Sequence, residues 1–86
     1  MRVSVQLFAR LRELAGRTEV EFDVPAGATI EDVWQALVRM HPAVSAYGAS
    51  VSCARNEDFA RMSAPVHEGD AIAFLPPVSG GALDLS

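Results

Sequence analysis

Thr29-Ile30-Glu31-Asp32-Val33-Trp34-Gln35-Ala36-Leu37-Val38 is the stretch of this 86-residue chain whose reading decides the fold. Ile30, Val33, Trp34, Leu37 and Val38 recur at the i, i+3, i+4, i+7, i+8 spacing that gathers apolar side chains along one side of a helix. Such a stripe must lie on another apolar surface. Thr29 with Asp32 forms a capping box with Asp in the usual Glu position, and Glu31 and Asp32 suit the positive end of a helix dipole, so the helix begins at about Ile30. Pro42 prevents its continuation.

The segments on either side supply the surface. Val3, Val5 and Leu7 alternate with Arg2, Ser4 and Gln6, and Val20, Phe22 and Val24 alternate with Glu19, Glu21 and Asp23. Both are strands with one buried face, the second ended by the turn Pro25-Ala26-Gly27. Between them Leu11, Leu14 and Ala15 mark a short helix stopped by Gly16. Phe8 falls out of phase with the core face of its strand, so it either caps that helix or lies exposed where a partner can cover it. Beyond Pro42, Ala43 to Ser50 reads as a loop with some helical turn, Val51 to Arg55 as a strand and Asn56-Glu57-Asp58 as a turn. His67-Glu68-Gly69-Asp70 is a tight turn into Ala71-Ile72-Ala73-Phe74-Leu75, apolar on both faces and therefore central in the sheet. This order predicts an α+β fold, a ubiquitin-like β-grasp with a mixed sheet packed on one main helix, the first and last strands adjacent and parallel.

Composition narrows the function. The length allows one small domain, and a net charge of −4 with a pI near 4.9 gives no electrostatic reason to expect nucleic acid or an anionic membrane as partner. All seven basic residues are arginine, which removes lysine Schiff-base and P-loop chemistry. Cys53 is the one cysteine, so no internal disulfide forms, and with no secretory apolar segment after Met1 the expected compartment is the cytoplasm. His41 and His67 lack a third ligand at metal spacing, and the Glu31/Asp32 and Glu57/Asp58 pairs have local roles at a helix start and a turn. No active site is expected within the folded body.

The distinctive feature is the exit from the last strand. Pro76 and Pro77 stiffen the chain into an extended path, and Gly80 and Gly81 present the thinnest peptide available, the build of a tail made for a narrow tunnel. Arg12 lies one helical turn from Phe8, so the two are candidates for a charged clamp and an apolar anchor beside that tail. Arg10 and Arg17 read as a solvated basic cluster balanced by Glu13 and the acidic second strand.

Together the segment Val5-Gln6-Leu7-Phe8-Ala9-Arg10-Leu11-Arg12-Glu13-Leu14-Ala15-Gly16, the Thr29 helix start, Asn56, and Gly69-Asp70-Ala71 through Pro76-Pro77-Val78-Ser79-Gly80-Gly81 resemble the small subunit of molybdopterin synthase. The resemblance implies a carrier domain over residues 1–81 followed by a short extension, 82–86. It implies that Gly81 carries an adenylate and then a thiocarboxylate, that Val78, Ser79 and Gly80 form the inserted tail, and that Phe8, Arg12, Leu75, Pro76 and Pro77 form the docking surface. The chain would itself be non-catalytic and bind no cofactor. Its partners would be the large catalytic subunit, which uses the sulfur on cyclic pyranopterin monophosphate, and an adenylyltransferase like the ubiquitin-activating enzymes, which consumes ATP. Two features depart from the family pattern: Ala71 stands where an acidic residue is common, and Ala82-Leu83-Asp84-Leu85-Ser86 follows Gly81. The extension is either trimmed by a protease, the remnant of a fusion, or the sign of a role that needs no free glycine end. The alternatives are a thiamine-pathway sulfur carrier, whose members usually lack the first helix and the double proline, and a β-grasp module that binds a partner without covalent chemistry.

Overall fold

A computed structural model describes residues 1–77. Its elements run β1 (Arg2–Leu7), α1 (Ala9–Ala15), β2 (Glu19–Asp23), α2 (Ile30–Met40), a 3-10 turn (Pro42–Tyr47), β3 (Ser52–Arg55), β4 (Asp58–Ala60) and β5 (Ala71–Leu75). The capping box closes α2 as its residue types dictate: the Asp32 amide donates to Thr29 Oγ1 at 3.3 Å, and the Thr29 amide donates to the Asp32 carboxylate at 2.9 Å. At the other end His41 leaves helical geometry with φ −136° and ψ 77°, because the Pro42 ring excludes the helical conformation for the residue before it. The chain restarts as the 3-10 turn and buries Val44 beneath it.

The sheet order is β2-β1-β5-β3-β4, with β1 and β5 parallel and every other pair antiparallel. The expected fold is therefore present, with the first and last strands side by side. Register shows how one face becomes core: Val5 pairs with Val20 on one side and Ile72 on the other, and Phe74 lies between Leu7 and Cys53. Ile30, Val33, Trp34 and Leu37 close over this face, and the Trp34 and Phe74 rings meet edge to face at 4.9 Å. Val38, expected in the same stripe, is only half-buried, since it lies at the margin of the helix face.

The sheet has one strand more than periodicity predicts. Asn56 and Glu57 alone form the turn after β3, both at positive φ (51° and 75°), and Asp58, expected in that turn, instead opens β4. Positive φ at both central residues is the turn geometry that matches strand twist, so the chain doubles back at once into a hairpin. Val51 precedes β3 and is not part of it. Among the described residues no helix is long and apolar enough to cross a membrane.

Candidate docking site

The parallel pairing of β1 with β5 creates the site. Leu7 lies opposite Phe74, and because both strands run the same way, Phe8 and Leu75 follow them at the same end of the sheet. Phe8 is the N-cap of α1 in extended geometry and remains 42% exposed, so the two roles considered from sequence coincide. The passage from β1 to α1 is sharp because Ala9 follows at φ 52°, the left-handed region that residues other than glycine rarely enter.

 

That residue turns the chain abruptly out of β1 and leaves the Phe8 ring outside the core. Phe8, Ala9, Arg10, Tyr47, Leu75, Pro76 and Pro77 line a groove of about 650 Å³. A second, smaller hollow of about 280 Å³ continues it across the open face of the sheet, between Gln6, Phe8, Ala54, Phe59, Ala73 and Leu75. Leu75 and Pro76 are half-buried in the isolated chain and Pro77 is exposed.

Two arginines of α1 border this corner on different sides of Phe8. Arg12 and Phe8 share a shallow surface with Gln6, Thr18 and Glu19, as their one-turn spacing expects, and Arg12 does not line the groove beside Leu75, Pro76 and Pro77. The cation at the tail exit is Arg10, held by Glu13 at 2.8 Å, which also secures its charge. A seven-residue helix makes barely two turns, so the strand it follows and the groove beside it decide which arginine lies beside Pro76 and Pro77. Helical spacing from Phe8 could not supply that. Arg17 has no ion pair among the described residues, and the acidic second strand is instead neutralised by Arg2, which reaches Glu21 at 2.8 Å and Asp23 at 2.9 Å.

Sequence reasoning also missed Tyr47 and Phe59. Phe59 is 82% exposed on β4, a strand of three residues that is too short to show a period. A phenylalanine directly after Glu57-Asp58 and two residues before Arg61 was the available signal.

The hairpin that carries Phe59 is tied to the start of β5 by Asn56. Its side-chain amide donates to the Asp70 carboxylate at 3.0 Å, its side-chain oxygen accepts from the Ala71 amide at 2.9 Å, and its own backbone amide donates to the Ala71 carbonyl at 2.8 Å. The second Asp70 oxygen accepts from the His67 amide at 2.8 Å, which closes the turn through Gly69 at φ 82°. Burial alone would push the Asp70 carboxyl up. The bonds from Asn56 and His67 outweigh it and hold the group below the usual carboxylate range. One side chain thus aligns the open-face hairpin with the strand that leads to the tail.

The remaining reactive side chains lie elsewhere. Cys53 is buried, donates its thiol to the Ala60 carbonyl at 3.2 Å, and is pushed above the ordinary thiol range by burial. His41 caps α2 and His67 is exposed in the turn before β5. Among the described residues no group of three His, Cys, Asp or Glu is placed to hold a metal ion. Val78, Ser79, Gly80 and Gly81, expected to form the inserted tail and its reactive end, lie outside the described residues, as does the extension 82–86.

The architecture is that of the ubiquitin-like β-grasp proteins, and comparison with known proteins agrees. The chain belongs to the ThiS family, whose model matches residues 5–81. It is 37% identical over 79 residues to the molybdopterin synthase sulfur carrier subunit of Arabidopsis thaliana, covering 92% of this chain and 82% of that protein. It is 38% identical over 84 residues to small archaeal modifier protein 1 of Haloferax volcanii, covering 88% and 97% of the two chains. The crystal structure of the Haloferax protein superposes with a TM-score of 0.85 at 36% identity, over 94% of this chain and all of that one.

Proposed function

We propose that this chain is a sulfur carrier, the small non-catalytic subunit of a molybdopterin synthase, with Gly81 as the residue that bears the sulfur. The observation that carries the reading is the corner itself: β5 ends beside Phe8, so Pro76 and Pro77 depart from an apolar surface already suited to docking. Two relatives named above bracket the class, and the first is a sulfur carrier subunit by name.

A carboxylate is a poor electrophile until one oxygen becomes a good leaving group. The Gly81 carboxylate would attack the α-phosphorus of ATP on an adenylyltransferase, releasing pyrophosphate. A sulfur nucleophile would then displace AMP, which departs with the C–O bonding pair, and leave a thiocarboxylate. On the large catalytic subunit that sulfur would pass to cyclic pyranopterin monophosphate. The carrier contributes a thin tail, Val78, Ser79 and Gly80, and a docking surface built from Phe8, Leu75, Pro76 and Pro77 with Arg10 and Arg12 at its rim. Both partners need the same tail and the same corner, so they bind in turn. The activation step consumes ATP and the sulfur has to stay reduced, in keeping with a cytoplasmic setting.

Residues 1–81 would form the carrier domain, and Ala82 to Ser86 would have to leave before Gly81 has a carboxylate to activate. A trimming protease, or cleavage from a fusion, would do this. The test is the mass of the carboxy-terminal peptide after incubation with the activating enzyme, ATP and a sulfur donor. The chain ended at Gly81 should exchange oxygen for sulfur, and the chain carrying the extension should not. An unmodified Gly81 end, under conditions that convert a known carrier, would leave a non-covalent binding module as the better reading. The Haloferax relative's name favours one further reading, a protein modifier. The activated carboxyl would be the same, and the two readings part at the nucleophile, sulfur in one and an amine in the other.

A further inference from the structure

β4 is the outer strand of the sheet, and its free edge is complementary to itself. Asn56 bonds Ala71 through its backbone amide and Ala54 lies opposite Ala73, so the even-numbered residues of β3 turn their polar groups towards β5. Those of Cys53 and Arg55 therefore turn towards β4, where they meet Ala60 and Asp58. Phe59, opposite Ala54, is left with its N–H and C=O directed away from the sheet. Its ring is 82% exposed as well.

Two residues to either side of Phe59 stand opposite charges, Glu57 before it and Arg61 after it, and neither joins an ion pair among the described residues. Glu57 and Phe59 share one hollow of the open face, and Phe59 and Arg61 share the groove at the sheet edge. An antiparallel copy of the same segment, placed with Phe59 opposite Phe59, pairs the two outward backbone groups reciprocally. It also brings each Glu57, in the turn just before β4, towards the other chain's Arg61, just after β4. A one-residue slip would face the free groups of Phe59 with those of Ala60, already committed to β3, so this register is selected.

We propose that two copies of this chain associate edge to edge through β4, forming one continuous sheet about a two-fold axis at Phe59. The contact is short, and an interface of this size gives a weak, concentration-dependent dimer. It engages Phe59, which also borders the proposed docking face, so self-association and partner docking compete for that ring. The dimer itself does not depend on the carrier reading.

Sedimentation equilibrium of the full chain, from low micromolar to about 1 mM, tests the proposal together with hydrogen exchange at the Phe59 amide. The wild type should dimerise within that range, and Phe59 amide protection should rise with concentration. Phe59→Pro removes an outward N–H that β3 does not use, so it should remain folded and become monomeric. Arg61→Glu should weaken the dimer about tenfold, and combining it with Glu57→Arg should restore affinity to within about threefold of the wild type, because the swap recreates both pairs. Should Phe59→Pro fail to fold, the charge series decides the matter alone. A wild type still monomeric at about 1 mM would overturn the proposal. So would a dimer without Phe59 amide protection, or a double variant no stronger than Arg61→Glu.

Discussion

Phe8→Ala separates the docking role of this residue from its structural one. A phenylalanine side chain presents roughly 200 Å². With 42% of the residue exposed, about 85 Å² remains for a partner to cover, worth about 2 kcal/mol at about 25 cal/mol per Å². Truncation should therefore weaken binding to the large subunit roughly thirtyfold. The part already covered by the chain sets the other side of the comparison: about 115 Å², an upper bound of about 3 kcal/mol in fold stability, reduced in practice because a denatured chain also buries apolar surface. Calorimetric titration of the variant into the large subunit measures the first quantity and urea denaturation the second. Affinity should be corrected for the folded fraction. If Phe8→Ala costs stability yet binds as tightly per folded molecule as the wild type, Phe8 belongs to the fold alone and the docking corner is misplaced.

Other expected outcomes test the frame around that corner. Leu37 is fully buried, so Leu37→Ala should destabilise by about 2–5 kcal/mol in urea, whereas Met40→Ala, at an exposed position of the same helix, should stay within about 0.5 kcal/mol. Glu57→Gly should stabilise by about 1 kcal/mol, since glycine adopts the left-handed geometry at φ 75° without strain; an unchanged or lower melting temperature would contradict the turn assignment. The Asp70 carboxyl is depressed in the folded chain, so its stabilising contribution is complete above its unfolded pKa of about 3.9 and is lost as pH falls through the folded value. Asn56→Ala removes a bond to the charged form and should shrink that acid-side loss, and an acid limb as steep as the wild type's would refute the assigned network.

The Pro76-Pro77 exit, the faces of β1 and β2, the span of α2 and the central position of β5 were all legible in the chain. β4 was not, because three residues cannot display a period of two against their neighbours. Phe59 accordingly read as part of no element, although it is the most exposed large apolar residue described. Arg12 was the arginine chosen from spacing and does border Phe8, whereas Arg10, which lines the groove beside Pro76 and Pro77, was not singled out. Asn56 carried a family resemblance without a reason. Its reason lies in Asp70 and Ala71, which are brought to it only when β3 and β5 pair.

Sequence by itself determined which face of each long element is buried and where each stops, because periodicity, capping and proline geometry act between residues a few positions apart. Tertiary structure alone decided which strands neighbour one another. Parallel pairing of β1 with β5 joins residues about seventy positions apart, and its result is that Phe8 and Leu75 meet where the tail leaves. No local rule encodes that meeting, since it depends on the twist and closure of the whole sheet around α2 and on the single register that buries Val5, Ile72 and Phe74 together.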